Sequence, residues 1–423
     1  QRASGSGAQG GAGYVIENSL RFNSADSTKT GHTTNETGST TTGTISVWVK
    51  RCQLGVAQYL FDVDNTSEHL TFNASDQLQF AFRGGAKSIV TTQVFRDPTA
   101  WYHIVIRIDT TLAEANRLRM YINGVQITNF VTEAQPTSSE AFLAFLTNGS
   151  LHQWGSYTSG GGKLNAYLAD AIIIGGTGYG PDSFGEYDSN GNYVPIDPSE
   201  LTFGTNGSWL DFAVAPGTGD GAGTDVSGND NHFTDSGLAA NDRVSDSPTD
   251  DSSTGASNYA TLSKIVKPSA DNGVISNGGT TSVTNYAVSP FGMTSGKWYV
   301  EFTPTSITTF FAALFKDSTS LAFQFTADGE GRAYDNLGRY WKDGAVISTG
   351  HGAVSNGDHV AIAVDLDNLN IEWYINNVSK YEATDLEAGQ TWYFTCGTSS
   401  TVNANFGTAP VTGGETDENG FGD

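Results

Sequence analysis

The chain of 423 residues carries 45 acidic against 21 basic side chains, a formal net charge of −24, together with 51 glycines and 11% aromatic residues. With no Lys/Arg cluster to offset that charge, it repels phosphate backbones and anionic headgroups, which excludes nucleic-acid partners and attachment to membrane surfaces. No apolar stretch approaches the ~20 residues that span a bilayer.

Glycine abundance with many Thr, Ser and Asn describes short strands joined by tight turns, so an all-β chain is expected. Residues 1–13, QRASGSGAQGGAG, lack the plan of a signal peptide and form a Gly-rich arm, expected to anchor the chain in an assembly. From Tyr14 to residue 214 strand candidates alternate with turn signals: SLRFNS, GTISVWVKR, QYLFDVD, HLTFNASDQLQFAFRG, WYHIVIRID, RLRMYINGVQI and NAYLADAIIIGG. In the second of these Ile45, Val47 and Val49 share one face and Ser46, Trp48 and Lys50 the other, as in a strand covered by a second sheet. Residues 215–258 are loaded with Asp, Gly, Ser and Asn and are expected to be a linker. Strand rhythm resumes over 259–411 and yields to a polar tail, 412–423, expected to continue into a longer chain.

One phrase occurs twice. WYHIVIRID…RLRMYINGVQ from Trp101 and HVAIAVDLDNLNIEWYINNV from His359 each read as a hairpin whose second strand closes on Tyr-Ile-Asn and a polar turn. The copies lie too far apart for one hairpin stack, so two related sheets are expected. Cys52 and Cys396, each placed in a strand of a different domain, are expected to be free buried thiols, as suits assembly in a reducing cytoplasm.

GTISVWVKR, WYHIVIRID, RLRMYINGVQ and NAYLADAIIIGG, in that order, resemble the laminin-G and pentraxin group of concanavalin A-like jelly-roll domains; SGKWYVEFT, GDHVAIAVDLDNLNIEWYINNV and VNANFG resemble a SPRY domain. The resemblance implies two tandem concanavalin A-like jelly-roll β-sandwiches. The tandem, with SLRFNSADS, FRDPTAWYHIV, DSFGEYDSNGNYVP, TNGSWLDF and DVSGNDNHFT, is similar to a family of bacteriophage virion proteins described as tail-fibre-like or lectin-like. It implies a non-enzymatic virion protein (fibre, tail appendage or capsid decoration), held by its arm to other virion proteins, assembled as a homo-oligomer such as a trimer, and adhering to host-surface glycans. The alternative is a purely structural subunit whose sandwiches dock other virion proteins.

Glycan-cleaving relatives of this fold set carboxylates on one strand face about 5 Å apart. Asp62 and Asp64 share a face by their spacing, but Glu68 falls beyond a turn signal and the alternating acidic set is missing, which argues against a polysaccharide depolymerase. Sugar stacking requires aromatics near turns. The candidates are Trp154, Tyr157, Tyr179, Tyr340 and Trp341, whereas Trp48, Trp101, Trp298 and Trp373 lie inside strand patterns, as do His103 and His359. Laminin-G and pentraxin relatives often hold calcium at one rim through oxygen ligands. The candidates here are Asp62, Asp64, Asp109, Asp225, Asn229 and Asp230, residue types that also make Asx turns.

Overall fold

The computed structural model describes residues 13–65, 67–251, 253–262, 287–316, 330–397 and 400–407, with the backbone of two further short strands, Val274–Ser276 and Thr281–Val283. Apart from Gly13 the expected arm lies outside the described residues, as does the 412–423 tail. The chain is all-β and divides into two compact units, Ser6–Asn258 and Tyr259–Asp423. Among the described residues no helix is long and apolar enough to cross a membrane.

The first unit packs two antiparallel sheets. Sheet I runs in the order Val125–Gln126, Leu118–Ile122, Trp101–Asp109, Thr42–Arg51, Ala166–Gly175, Ser19–Phe22, Arg243–Val244, with Ser208–Leu210 also pairing to Ala166–Gly175. Sheet II runs Phe130–Ala134, Lys87–Val94, Gln77–Phe82, Glu68–Phe72, Gln58–Val63, Leu151–Trp154, Lys29–Thr33, Thr234–Ser236. Alternation decides what lies between them: Ile45, Val47 and Val49 enter the core with Ile104, Ile106 and Ile108, and meet Leu70, Phe72, Leu78 and Phe80 of sheet II. Trp48 faces the opposite way, stacked on His103 with ring centroids 4.7 Å apart. A short hairpin, Gly185–Tyr187 with Tyr193–Pro195, supplies the Tyr193 ring, which stacks on that imidazole at 5.6 Å and lies 5.9 Å from the Trp48 ring.

The second unit has a seven-stranded sheet III (Val274–Ser276, Thr281–Val283, Ser400–Asn405, Lys297–Ile307, Val360–Asp365, Asn370–Ile375, Val378–Ala383). Facing it is a six-stranded sheet IV (Ala287–Val288, Trp392–Gly397, Phe311–Lys316, Gly331–Asp335, Tyr340–Lys342, Ala345–Ser348). Trp373, Trp392, Val300, Phe302 and Ile362 fill the space between. Cys396 is buried in strand Trp392–Gly397, while Cys52 sits half-buried just past the end of Thr42–Arg51; both are free thiols.

The repeated phrase has one structural cause. In each copy two consecutive residues with positive φ, Asn123 (47°) with Gly124 (79°) and Asn376 (50°) with Asn377 (63°), make a two-residue type I′ turn into the next strand. The first Asn of each pair also ties back to the residue that opens the hairpin. Its side-chain oxygen accepts the backbone N–H of His103 or His359, at 2.7 and 2.9 Å, and its own N–H donates to that residue's carbonyl at 2.9 Å. Asn therefore does two jobs, tolerating the left-handed conformation and bracketing the neighbouring strand. Asn123→Ala is expected to cost about 1–2 kcal/mol, measured by urea denaturation of the first unit.

The 215–258 segment is not a linker. Phe233 and Ala222 enter the first core, Thr234–Ser236 extends sheet II, and Arg243–Val244 extends sheet I. Its polar composition is spent on buried partners: Asp242 accepts from Arg21 at 3.0 Å, and Asp246, with 0% exposure, pairs with the equally buried Lys50 at 2.8 Å. Strands this short show no period in a sequence, and side chains that look solvent-seeking are here the counter-ions of the sandwich.

Candidate functional site

Sheet II presents a polar outer face, and strand register lays it out in rows. One row crosses the sheet through Gly31, Gln153, Asp62, His69, Ala81 and Ser88; the next, through Tyr59, Thr71, Gln79 and Val90. Tyr59 and Asp62 are three apart in sequence and would alternate out of register on a regular strand. A β-bulge between Tyr59 and Phe61 sends Leu60 and Phe61 both into the core and returns Asp62 to the outer face.

An aromatic wall stands on this face. The Tyr59 ring lies 5.1 Å from the His69 ring and 5.1 Å, edge-on, from the Tyr157 ring. Both tyrosines are half-buried, whereas Asp62, Gln153 and His69 beneath them are buried. Burial, and then the Asp62 carboxylate, raise the Tyr59 phenol above its ordinary pKa and keep it a neutral donor.

The loop carrying Tyr157 is held from below. Gln153 donates through Nε2 to Ser156 Oγ at 2.8 Å and to the carbonyls of Ser156 and Tyr157, and Asp62 Oδ2 accepts the Thr158 N–H at 2.9 Å. The glycines that follow are steric necessities. A β-carbon on Gly162, where φ is +56°, would sit 2.3 Å from the Tyr59 ring, and one on Gly161 would sit 1.9 Å from Tyr157 Oη. The result is a preformed pair of aromatic faces edged by Gln79, Thr158 and Ser159, which suits a ligand with one apolar face and a rim of hydroxyls.

Of the aromatics expected near turns, only Tyr157 stands on this face. Trp154 lies in strand Leu151–Trp154, points into the core with 0% exposure, and packs 4.8 Å from the Phe61 ring. Tyr179 is pinned against the outer side of sheet I, its backbone N–H on Thr44 Oγ1 and its ring edge-on to Phe184. Tyr340 is 1% exposed, stacks on Tyr381 at 4.5 Å and donates its hydroxyl to Asp385 Oδ1 at 2.9 Å. Trp341 faces out from sheet IV but is half-buried, its N–H on Asp335 and Arg339 over its ring at 5.0 Å. Trp154 and Tyr340 are therefore core residues, because both belong to strands that the flanking glycines had disguised as loops. Tyr59, His69 and Gln153 were missed. Their signal was the alternation within HLTF and the pairing partners that only the fold supplies.

The calcium candidates do not make a cage. Asp62 is buried under the Tyr157 loop, and Asp64, with φ 43°, is past the strand end and accepts the Leu151 N–H at 2.8 Å. The two therefore do not share a strand face. Asp109 closes an Asx turn onto Thr111. Asp225 accepts from Trp209 N, Ser227 N, Ser227 Oγ and Asn231 N, which occupies the lone pairs of both its oxygens. Asn229 clamps the carbonyls of Gly204 and Gly207, and the Asp230 side chain, 91% exposed, turns outward. Among the described residues no group of three or more His, Cys, Asp or Glu converges to hold a metal ion. These residues do not fit calcium, and nothing in the site's chemistry is assigned to it.

Residues 22–173 match a family model, Laminin_G_3, described as the concanavalin A-like lectin/glucanases superfamily. Solved structures similar to parts of the chain include the SPRY domain of human HERC1 (16% identity, 30% of this chain and 82% of that one, TM-score 0.25). The PSpry domain of TRIM65 is 10% identical over 34% of this chain and 89% of its own, with a TM-score of 0.28. The heptameric SAP-like pentraxin from Limulus polyphemus is 12% identical over 38% of this chain and 77% of its own, with a TM-score of 0.30. No curated protein matches the chain.

Proposed function

We propose that the protein is a non-enzymatic glycan-binding component of a bacteriophage particle, and that the sugar is held on the outer face of sheet II. The observation that carries the binding reading is the Tyr59–Tyr157 pair, fixed over Asp62, His69 and Gln153 within the residues that match a lectin and glucanase superfamily. A pyranose stacks one face on such a ring while its hydroxyls meet the amide and hydroxyl groups at the edge. A single site of this size binds weakly, and a homo-oligomer displayed in many copies on a virion raises avidity without any new contact.

The virion assignment rests on the resemblance of the tandem sandwiches and of the Gly-rich arm to phage appendage proteins. Tyr59→Ala and Tyr157→Ala are each expected to weaken binding to host-surface polysaccharide by about five- to tenfold, the ~1–1.5 kcal/mol of one aromatic contact, with unfolding curves close to wild type. The check is titration calorimetry with purified polysaccharide, beside co-sedimentation of the protein with particles. Full binding by both variants would remove the site. Particle association with no polysaccharide bound would favour a structural subunit, and new reducing ends on incubation would mean a depolymerase.

A further inference from the structure

Lys50 has no place in the sheet II site, yet it is a fully enclosed cation. Its side chain is 0% exposed, and Nζ donates to Asp246 Oδ2 at 2.8 Å, to Asp246 Oδ1 at 3.0 Å and to Asn258 Oδ1 at 2.9 Å. Asp246 is also 0% exposed and is steadied by the Trp101 indole N–H on Oδ1 at 3.2 Å. Asn258 is oriented by its own amide, which donates to the Thr99 carbonyl at 2.8 Å. The surroundings are apolar and aromatic: Trp48, Trp101, Tyr167 and Val244 form one buried cluster, and the Tyr167 ring lies 5.8 Å from Nζ.

An amine, a carboxamide and a carboxylate that touches the amine thus meet in a nearly dry pocket. We propose that they form an intramolecular isopeptide bond between Lys50 Nζ and Asn258 Cγ, with Asp246 carrying the protons.

The chemistry closes without an oxidant or cofactor. In the first step the Lys50 ammonium passes one proton along its hydrogen bond to Asp246, leaving an amine and a carboxylic acid. The amine lone pair attacks Asn258 Cγ and the carbonyl π pair moves onto Oδ1. Asp246 then delivers its proton to Nδ2 and takes one from Nζ. As the carbonyl re-forms, the Cγ–Nδ2 bond breaks and ammonia leaves. One amine and one carboxamide become one secondary amide and one ammonia. Held reactants of this kind replace a bimolecular step with an effectively unimolecular one. The product joins strand Thr42–Arg51 to a residue 208 positions away, at the end of the folded-back 215–258 segment, and so locks that segment onto sheet I.

Mass spectrometry of the purified full-length chain tests this. The expected wild-type mass is lower than the sequence mass by one ammonia. Asn-Gly turns lose ammonia too, so the deciding observation is a tryptic digest of denatured protein. It should contain a branched peptide joining the Lys50 and Asn258 segments, with no cleavage after Lys50. Asn258→Ala keeps the Lys50–Asp246 pair and changes a half-buried side chain, so it should fold, show the full sequence mass and lose the branched peptide. Linear peptides cleaved after Lys50 in wild-type protein would overturn the proposal, as would a branched peptide that survives in Asn258→Ala.

Discussion

Trp154→Ala is expected to lower the unfolding free energy of the first unit by about 3–5 kcal/mol, the usual cost of removing a large aromatic side chain from a core. The ring is fully enclosed, sits against Phe61, and belongs to a strand that bridges Gln58–Val63 and Lys29–Thr33. Its removal leaves a cavity that strands hydrogen-bonded on both sides cannot collapse to fill. Calorimetric unfolding followed with circular dichroism measures the loss. The same experiment separates a core tryptophan from a sugar platform, because a platform residue would surrender ligand affinity and leave the unfolding transition in place. Tyr157→Ala, three residues along, should show that opposite pattern.

The second large effect is a dependence on pH. Asp170 lies at a β-bulge in strand Ala166–Gly175, with φ 43°, and is buried against the outer side of sheet I. Burial pushes its carboxyl up from 3.8 to about 7, against the pull of hydrogen bonds from Trp209 Nε1 at 2.9 Å and Tyr14 Oη at 3.3 Å, and Asp211 and Asp197 add repulsion. The sign follows from proton counting. Between about pH 4 and pH 7 the folded state holds a proton that the unfolded state has released, so stability falls as pH rises through this window. It is full below the unfolded pKa and lowest once Asp170 ionises, a difference of about 4 kcal/mol. Asp170→Asn keeps an acceptor for Trp209 and Tyr14 and tolerates the left-handed backbone. The variant should therefore flatten the pH slope and be more stable than wild type at about pH 8. Urea unfolding at several pH values is the check, and parallel slopes for the two proteins would refute the assignment.

Most strands were legible because alternation is a local signal. Ile45, Val47 and Val49 had to face a core whatever lay opposite, and the Tyr-Ile-Asn phrase had to end in a tight turn because Asn accepts positive φ. The candidate site was legible only at Tyr157 and Asp62. A tryptophan or tyrosine beside glycine looks the same in sequence whether it tops a loop or ends a buried strand, so Trp154 and Tyr340 were placed on the wrong side of the protein surface.

By itself, then, the sequence determined the all-β class, the strand faces, the paired hairpins and an acidic surface, since each depends on residues a few positions apart. Tertiary structure alone decided three other features. It folded residues 215–258 onto the first sandwich, where Asp246 meets Lys50. It used a bulge to bring Asp62 onto the face of Tyr59, and it set His69 and Gln153 beside them. These are consequences of strand register and of charge pairing between residues as far as 196 positions apart, and no local pattern encodes which strand becomes whose neighbour.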